Sequence, residues 1–391
     1  MRKYYYCYYF YYVLIILLLS FSFLILMYLN RKRKISRDKT LYSSIKFMKE
    51  CFKGELINNN SKKISINPKI SAIIPAYNCQ NTILASIRSI QNQNMGDIEI
   101  IIVNDNSKDN TSIIINALAK EDNRIKILNN EKNMATLYSR NIGILMSRGK
   151  YIMNLDNDDL FMYFDVFTTV YNEAEKGKYD IIGFQAIDCP TYNPLIIQMK
   201  DALYHTHKEG LTLYQPKLTY FAISSGSKYN QNDLHVWGRL TKANLYKKVI
   251  HNFGKNALGE IRSLCFVTWG EDSAISMAIF RNAKSYKYIK KYGIFHFIGM
   301  NTSSNKSSND LKIYGELFFL DAIIDFSHNN FKGKKYSIEM AKERIFPYIN
   351  KLFSDKNRKY LKAIFCKMMK SKYIPIKFKK EIKKKLDVVN I

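Results

Sequence analysis

The chain has 391 residues, 47% of them hydrophobic and 24% charged, and this richness in apolar and aromatic side chains excludes a disordered chain. Its 6 cysteines are few for this length and form no CxxC pair, so neither a disulfide framework nor a zinc cage is indicated. The 61 Lys and Arg against 33 Asp and Glu leave a net charge of +28, which favours phosphate-bearing partners: nucleic acid, anionic lipid or nucleotide substrates.

Tyr11 to Leu29 is an uncharged apolar run, long enough to cross a hydrocarbon core of ~30 Å as a helix. Aromatic residues precede it and Arg31-Lys32-Arg33-Lys34 follows it, the flanks of a membrane span. A cleaved signal peptide fits less well, because its apolar core is usually ~7–15 residues and no small-residue cleavage site follows. Residues 1–30 are therefore expected to be a retained single-pass anchor. The excess of basic residues after the run favours a cytosolic C-terminal part, and the side of the membrane stays open. Residues 31–68 are polar and basic and read as a stalk, with a short helical patch over Leu41–Phe52.

From Lys69 the pattern changes. Ile70–Ile74, Glu99–Val103, Arg124–Leu128 and Tyr151–Leu155 read as four short buried strands. Helices separate them over Asn81–Gln93, through Lys120 after the turn and cap residues Asn106-Ser107-Lys108-Asp109, and over Thr136–Ser147. Strands alternating with helical crossovers predict an α/β domain with a mostly parallel central sheet and flanking helices. Ligands of such sheets bind beyond the C-terminal strand ends. Acidic residues collect there: Asp105 after the second strand, and Asp156-Asn157-Asp158-Asp159 after the fourth. One Asp at a strand end is ordinarily a turn or cap residue. Three carboxylates within four residues repel one another and call for a counter-charge, which a hard divalent cation such as Mg²⁺ or Mn²⁺ supplies while bridging to substrate phosphates. There is no Gly-rich phosphate loop, so a P-loop or dinucleotide fold is disfavoured.

Five blocks over Lys69–Phe161 carry a family resemblance: Ile74-Pro75-Ala76-Tyr77-Asn78; Val103-Asn104-Asp105-Asn106-Ser107 with Asp109-Asn110-Thr111; Asn133; Ser139-Arg140-Asn141 with Gly143; and Gly149-Lys150-Tyr151 leading to Leu155-Asp156-Asn157-Asp158-Asp159. In order and spacing this stretch resembles the inverting family 2 glycosyltransferases, which have the GT-A fold. The resemblance implies that Pro75, Ala76 and Tyr77 wall a nucleotide-base pocket and that Asp105 accepts from the base, favouring uridine. It further implies that Arg140 lies near the base or diphosphate, that Asp156 approaches the ribose, and that Asp158 holds a metal on the diphosphate. Asn104 and Asn106 depart from the family's common Asp and Gly.

Downstream, Val236-Trp237-Gly238-Arg239-Leu240 resembles the family's acceptor-side Trp segment, against the alternative of a core Trp beside solvated basic residues. Gly270-Glu271-Asp272 before an apolar-periodic helix resembles the catalytic block, with Asp272 as base beside Glu271; helix-end acids are the alternative. The helix dipole favours the ionised carboxylates there. His296 follows where some members place a residue over the diphosphate, although a packed histidine is expected. His205 and His207 lack a third ligand, so no zinc site is expected. A helix is expected over Leu311–Ile324, and Lys356–Lys385 interleaves Lys with apolar residues. That segment suits either an amphipathic helix on anionic membrane or the solvated face of a capping helix.

The expected layout is an anchor over 1–30, a stalk over 31–68, a GT-A domain over 69–300 and a helical basic region over 301–391. Within the domain, 69–161 would bind nucleotide-sugar and 162–300 the acceptor. The expected function is a membrane-anchored, metal-dependent transferase of the hexosyl or N-acetylhexosaminyl type, moving sugar from a UDP-linked donor to a glycan, lipid-phosphate or glycoprotein acceptor. It would sit in an endomembrane (ER or Golgi) or another cellular membrane, with no nucleic-acid partner. A non-catalytic nucleotide- or glycan-binding module and a nucleotidyl- or phosphotransferase using the same Asp cluster are the rivals.

Overall fold

The computed structural model describes residues 43–56, 65–189, 203–204, 210–215, 217, 235–298, 308–326, 338, 341–346, 354–371 and 374–388. The expected anchor, most of the stalk, and His205 and His207 lie outside the described residues. Among the described residues, no helix is long and apolar enough to cross a membrane.

The four expected strands are present as β1 (Ile70–Ala76), β2 (Ile98–Asn104), β3 (Ile125–Asn129) and β4 (Tyr151–Asn154). β1, β2 and β4 are buried at every position because helices cover both faces, whereas β3 at the sheet edge is only partly buried. β2 pairs parallel with β1 and β3, and β1 pairs parallel with β4. Between them run α2 (Ile83–Gln91), α3 (Thr111–Glu121) and α4 (Ala135–Met146).

The second half departs from a mostly parallel sheet. β5 (Leu160–Phe161), β6 (Ile181–Cys189), β7 (Leu203–Tyr204), β8 (Thr212–Tyr214), β9 (Arg239–Lys242) and β10 (Ser285–Phe297) extend it into a mixed 10-stranded sheet. The order is β3-β2-β1-β4-β9-β6-β10-β5, and β9 inserts antiparallel between β4 and β6. The Trp segment therefore reaches the sheet beside β4, next to the acidic loop. α5 (Val166–Gly177), α6 (Ala243–His251) and α7 (Glu271–Asn282) complete this half.

At both ends of the chain, helices pack on the domain. Residues 43–52, read as part of a stalk, form α1, which buries Phe47, Met48 and Cys51 against Leu160, Met162, Ile187 and Phe295. At the other end the basic stretch is two helices, α9 (Asp355–Lys370) and α10 (Ile376–Val388), interrupted at Pro375, which cannot continue a helix. Tyr360, Leu361, Ile364, Phe365 and Met368 of α9 join one core with α7 and α8 (Asn309–Phe326), so the apolar stripe of α9 caps the domain. Lys367 pairs with Asp321 at 2.9 Å across that contact.

Candidate active site

β1, β2 and β4 end side by side, and the loops that follow share one rim. Side chains lace those loops together. Asn157 donates to the Pro75 carbonyl (3.0 Å), Ser86 to the Asn157 carbonyl (2.9 Å), and the Lys108 amide to Asn78 Oδ1 (2.7 Å). Asn106, standing where the family commonly has Gly, has φ of 60°. Asn is the residue that best replaces Gly in the left-handed region, so the departure preserves the turn. Asn104 has a structural task as well, donating to Ser112 (2.9 Å) and Asn129 (3.0 Å).

On this rim Pro75 and Ala76 are buried, whereas Tyr77 is exposed. Asp105 is buried, and its Oδ1 accepts from Asn130 Nδ2 (2.7 Å) and the Met134 amide (2.8 Å). These donors hold the carboxylate in a fixed orientation at the end of β2.

The centre of the site is Arg140. It lies on α4 three residues before Gly143, where an added Cβ would come within 2.8 Å of Ile73 Cγ2 and 3.0 Å of Val103 Cγ2. The missing side chain lets the helix lie close on the sheet and carries Arg140 to the strand ends. Its guanidinium is 2% exposed and binds two carboxylates from distant segments: Asp156 Oδ1 at 2.9 Å through Nη2, and Asp272 Oδ1 at 2.6 Å through Nη1. The resemblance places this arginine near the base or diphosphate; in the structure both terminal nitrogens are committed to carboxylates.

Glu271 and Asp272 open α7. Gly270 before them has φ of +76°, and a Cβ there would meet the Gly315 carbonyl at 2.9 Å. This close crossing with α8 fixes where the acids stand. Burial is the largest influence on both. It pushes Glu271 up to about 8, with Asp272 adding repulsion, so the dipole does not keep Glu271 ionised. Burial also raises Asp272, against which Arg140 pulls toward the ionised form.

Trp237 stacks on His235, with centroids 4.4 Å apart and planes 13° apart, and lies 4.7 Å from the His296 ring. His296 Nδ1 contacts Asp188 Oδ1 at 2.8 Å. Burial opposes the charged imidazole, but Asp159 and Asp188 outweigh it and hold its pKa up to about 9. The packed-histidine reading is thus refined to a charged ring between aromatics and acids. Sequence reasoning missed His235 and Asp188; a single Asp inside the apolar strand β6 was the available signal.

Asp158 is the carboxylate left over. Asp156 is matched by Arg140, whereas burial raises Asp159 well above the usual carboxylate range against the pull of His296, and its Oδ1 accepts from the Phe297 amide at 3.0 Å. Asp158 makes no ion pair among the described residues, and burial followed by the charge of Asp156 pushes it up to about 6. This hard-oxygen donor fits Mg²⁺ or Mn²⁺. Among the described residues no three His, Cys, Asp or Glu side chains converge on a metal position. A cation held here would therefore take most of its ligands from substrate and water.

A parallel first half, a mixed second half and acidic loops at the strand ends make an α/β domain of the GT-A type. Residues 71–262, about half of the chain, match the sequence model of glycosyl transferase family 2. An uncharacterized glycosyltransferase of Rickettsia bellii is 34% identical over 209 residues, covering 49% of this chain and 29% of the relative. The uncharacterized glycosyltransferase EpsJ of Bacillus subtilis is 28% identical over 235 residues, 57% of this chain and 59% of the relative. The GalNAc(5)-diNAcBac-PP-undecaprenol beta-1,3-glucosyltransferase of Campylobacter jejuni is 35% identical over 117 residues, 30% and 38% of the two chains. The chain thus spans between 29% and 59% of the length of these curated relatives. Among solved structures, S. aureus TarS 1-349 in complex with UDP shares the fold at a TM-score of 0.56 and 13% identity, covering 82% of this chain and 88% of TarS. Its complex with UDP-GlcNAc gives 0.55 at 14% identity, covering 78% and 82%.

Proposed function

We propose that this chain is a membrane-anchored, metal-dependent inverting glycosyltransferase that moves a sugar from a UDP-linked donor to an acceptor hydroxyl. The observation that carries the reading is the convergence of Asp156 and Asp272, from opposite halves of the domain, on the buried Arg140. A donor-side carboxylate and a base-side carboxylate are thereby held at one fixed spacing, as an in-line displacement requires. A nucleotidyl- or phosphotransferase would have no use for Asp272 in that place. The uridine donor is supported by the buried, oriented Asp105 and by the UDP and UDP-GlcNAc complexes of the TarS neighbour.

In this mechanism Asp272 takes the proton of the acceptor hydroxyl as its oxygen bonds to the anomeric carbon. The bond from that carbon to the diphosphate breaks on the opposite side, which inverts the centre. Arg140 aims Asp272 and pulls it toward the ionised form against burial, and the imidazolium of His296 adds positive charge beside the acidic loop. Asp158 would hold a divalent cation, which when bound neutralises charge on the departing diphosphate. Tyr77 and Asp105 bind and orient the base, and Trp237, buried in the core as the alternative reading had it, backs His235 on the acceptor side.

The test is UDP release by the detergent-solubilised chain across a panel of UDP-sugars, with Mn²⁺ or EDTA. Metal-dependent release from one donor, lost in Asp158→Asn and Asp272→Asn, is expected. Donor binding without turnover on membrane acceptors would favour a binding module, and failure of every UDP-sugar to bind would refute the role of Asp105.

A further inference from the structure

The segment from Ile261 to Trp269 reverses the usual polarity of a surface loop. Ile261 and Leu264 (49% exposed each), Phe266 (41%) and Trp269 (38%) face outward, while Arg262, Cys265 and Val267 between them are buried. Four large apolar side chains offered to water within nine residues mark an interaction surface more often than a solvated loop. The reversal is firmly built. Arg262 pairs inside the protein with Asp321 (2.8 Å) and Asp325 and donates to the Phe253 carbonyl (3.2 Å). Asn141, the neighbour of Arg140 on α4, donates to the Ser263 carbonyl at 3.2 Å. The segment then passes through Gly270 directly into Glu271 and Asp272, so its apolar surface abuts the end of α7 that carries the proposed base.

Its rim carries Lys255 and Lys356 together with Glu260 and Glu316. Lys255 faces Ile261 in an antiparallel bridge, and Lys356 reaches Glu260 (3.4 Å) and lies over the Tyr314 ring (4.4 Å). Trp269 keeps its ring exposed while its Nε1 donates to Glu316 at 3.0 Å, the amphipathic posture of interfacial tryptophans. An apolar centre with an aromatic ring, on a chain of net charge +28, suits the boundary between anionic headgroups and acyl chains. A second copy of this chain is a poor occupant, because each copy carries a net charge of +28.

We propose that residues 261–269 form a membrane-docking surface that seats in an anionic phospholipid layer. The docking stands apart from the donor assignment; its consequence, that acceptor reaches Asp272 from the bilayer, rests on the proposed function.

The chain contains 2 tryptophans, so Trp237→Phe leaves Trp269 as the sole reporter. The full chain in this background is placed in bilayer discs of phosphatidylcholine and phosphatidylglycerol, with and without brominated acyl chains. A blue-shifted Trp269 emission, at least halved by shallow bromine and reduced less by deep bromine, is expected. Leu264→Glu with Phe266→Glu should abolish the quenching while the protein remains in the disc and its thermal unfolding is unchanged. Emission that stays water-like and unquenched in discs would overturn the proposal. So would a blue shift that follows protein concentration in lipid-free detergent solution, which would identify a second copy as the occupant. Because fluorescence needs no donor, failure of the transferase reading leaves this result readable.

Discussion

Replacing Arg140 with Met tests the centre of the site. The guanidinium lies 2.6 Å from Asp272 and 2.9 Å from Asp156, and Met fills much of the same volume without charge. Removing one partner of a buried ion pair costs about 3–5 kcal/mol. The two carboxylates keep 31% and 20% of their side-chain surface exposed, so water and protons reach them and the lower end, about 3 kcal/mol, is expected. That corresponds to roughly a 100-fold shift in the unfolding equilibrium. The loss depends on pH, because protonating either acid removes the repulsion that Arg140 masks. Asp272 is already raised by burial, and without Arg140 it rises further. Urea unfolding at pH 5 and pH 8 measures the difference, and the loss should be clearly smaller at pH 5. The acidic limb of the rate profile should move to higher pH in the same variant. Arg140→Lys restores the charge but not the two-pronged geometry, so partial rescue is expected. An equal loss at both pH values, or one below about 1 kcal/mol, would refute an ion-paired centre of this strength.

Three further outcomes are expected. Glu271 keeps its proton to about pH 8 in the folded chain and would release it near the ordinary value of 4.5 when unfolded, so stability falls as pH rises through that interval. Glu271→Gln should therefore be more stable than the parent at pH 9 and nearly equal at pH 4, as read by thermal unfolding. Gly270→Ala forces a side chain into a φ of +76° and within 2.9 Å of the Gly315 carbonyl; a loss of about 1–3 kcal/mol in denaturant unfolding is expected, with activity falling further because Asp272 moves. Asp321→Asn weakens the contacts to Arg262 (2.8 Å) and Lys367 (2.9 Å) that bind the C-terminal helices to the domain. It should lose about 3 kcal/mol and speed proteolysis within α9, measured by limited digestion.

The amino-acid sequence by itself determined the first half of this protein. Strands that are buried on both faces must be largely apolar runs, and helices between them must show a helical stripe, so β1, β2, β4 and α2 to α4 were legible to within a few residues, with the edge strand β3 following from its place between two helices. The acidic strand ends were legible for the same reason, since a carboxylate directly after a buried strand has few positions to occupy. The order of the second half was decided only in three dimensions. Nothing in Arg239–Lys242 announces that it inserts antiparallel beside β4, because pairing direction depends on where the chain returns from. The basic C-terminal stretch was ambiguous because one amphipathic stripe suits a membrane or a domain core equally; the apolar faces of α7 and α8 decided it. Arg140 is the sharpest case. Local sequence placed it on a helix near the site, but its partners lie 16 and 132 residues away, and only the folded sheet brings both carboxylates to its two nitrogens.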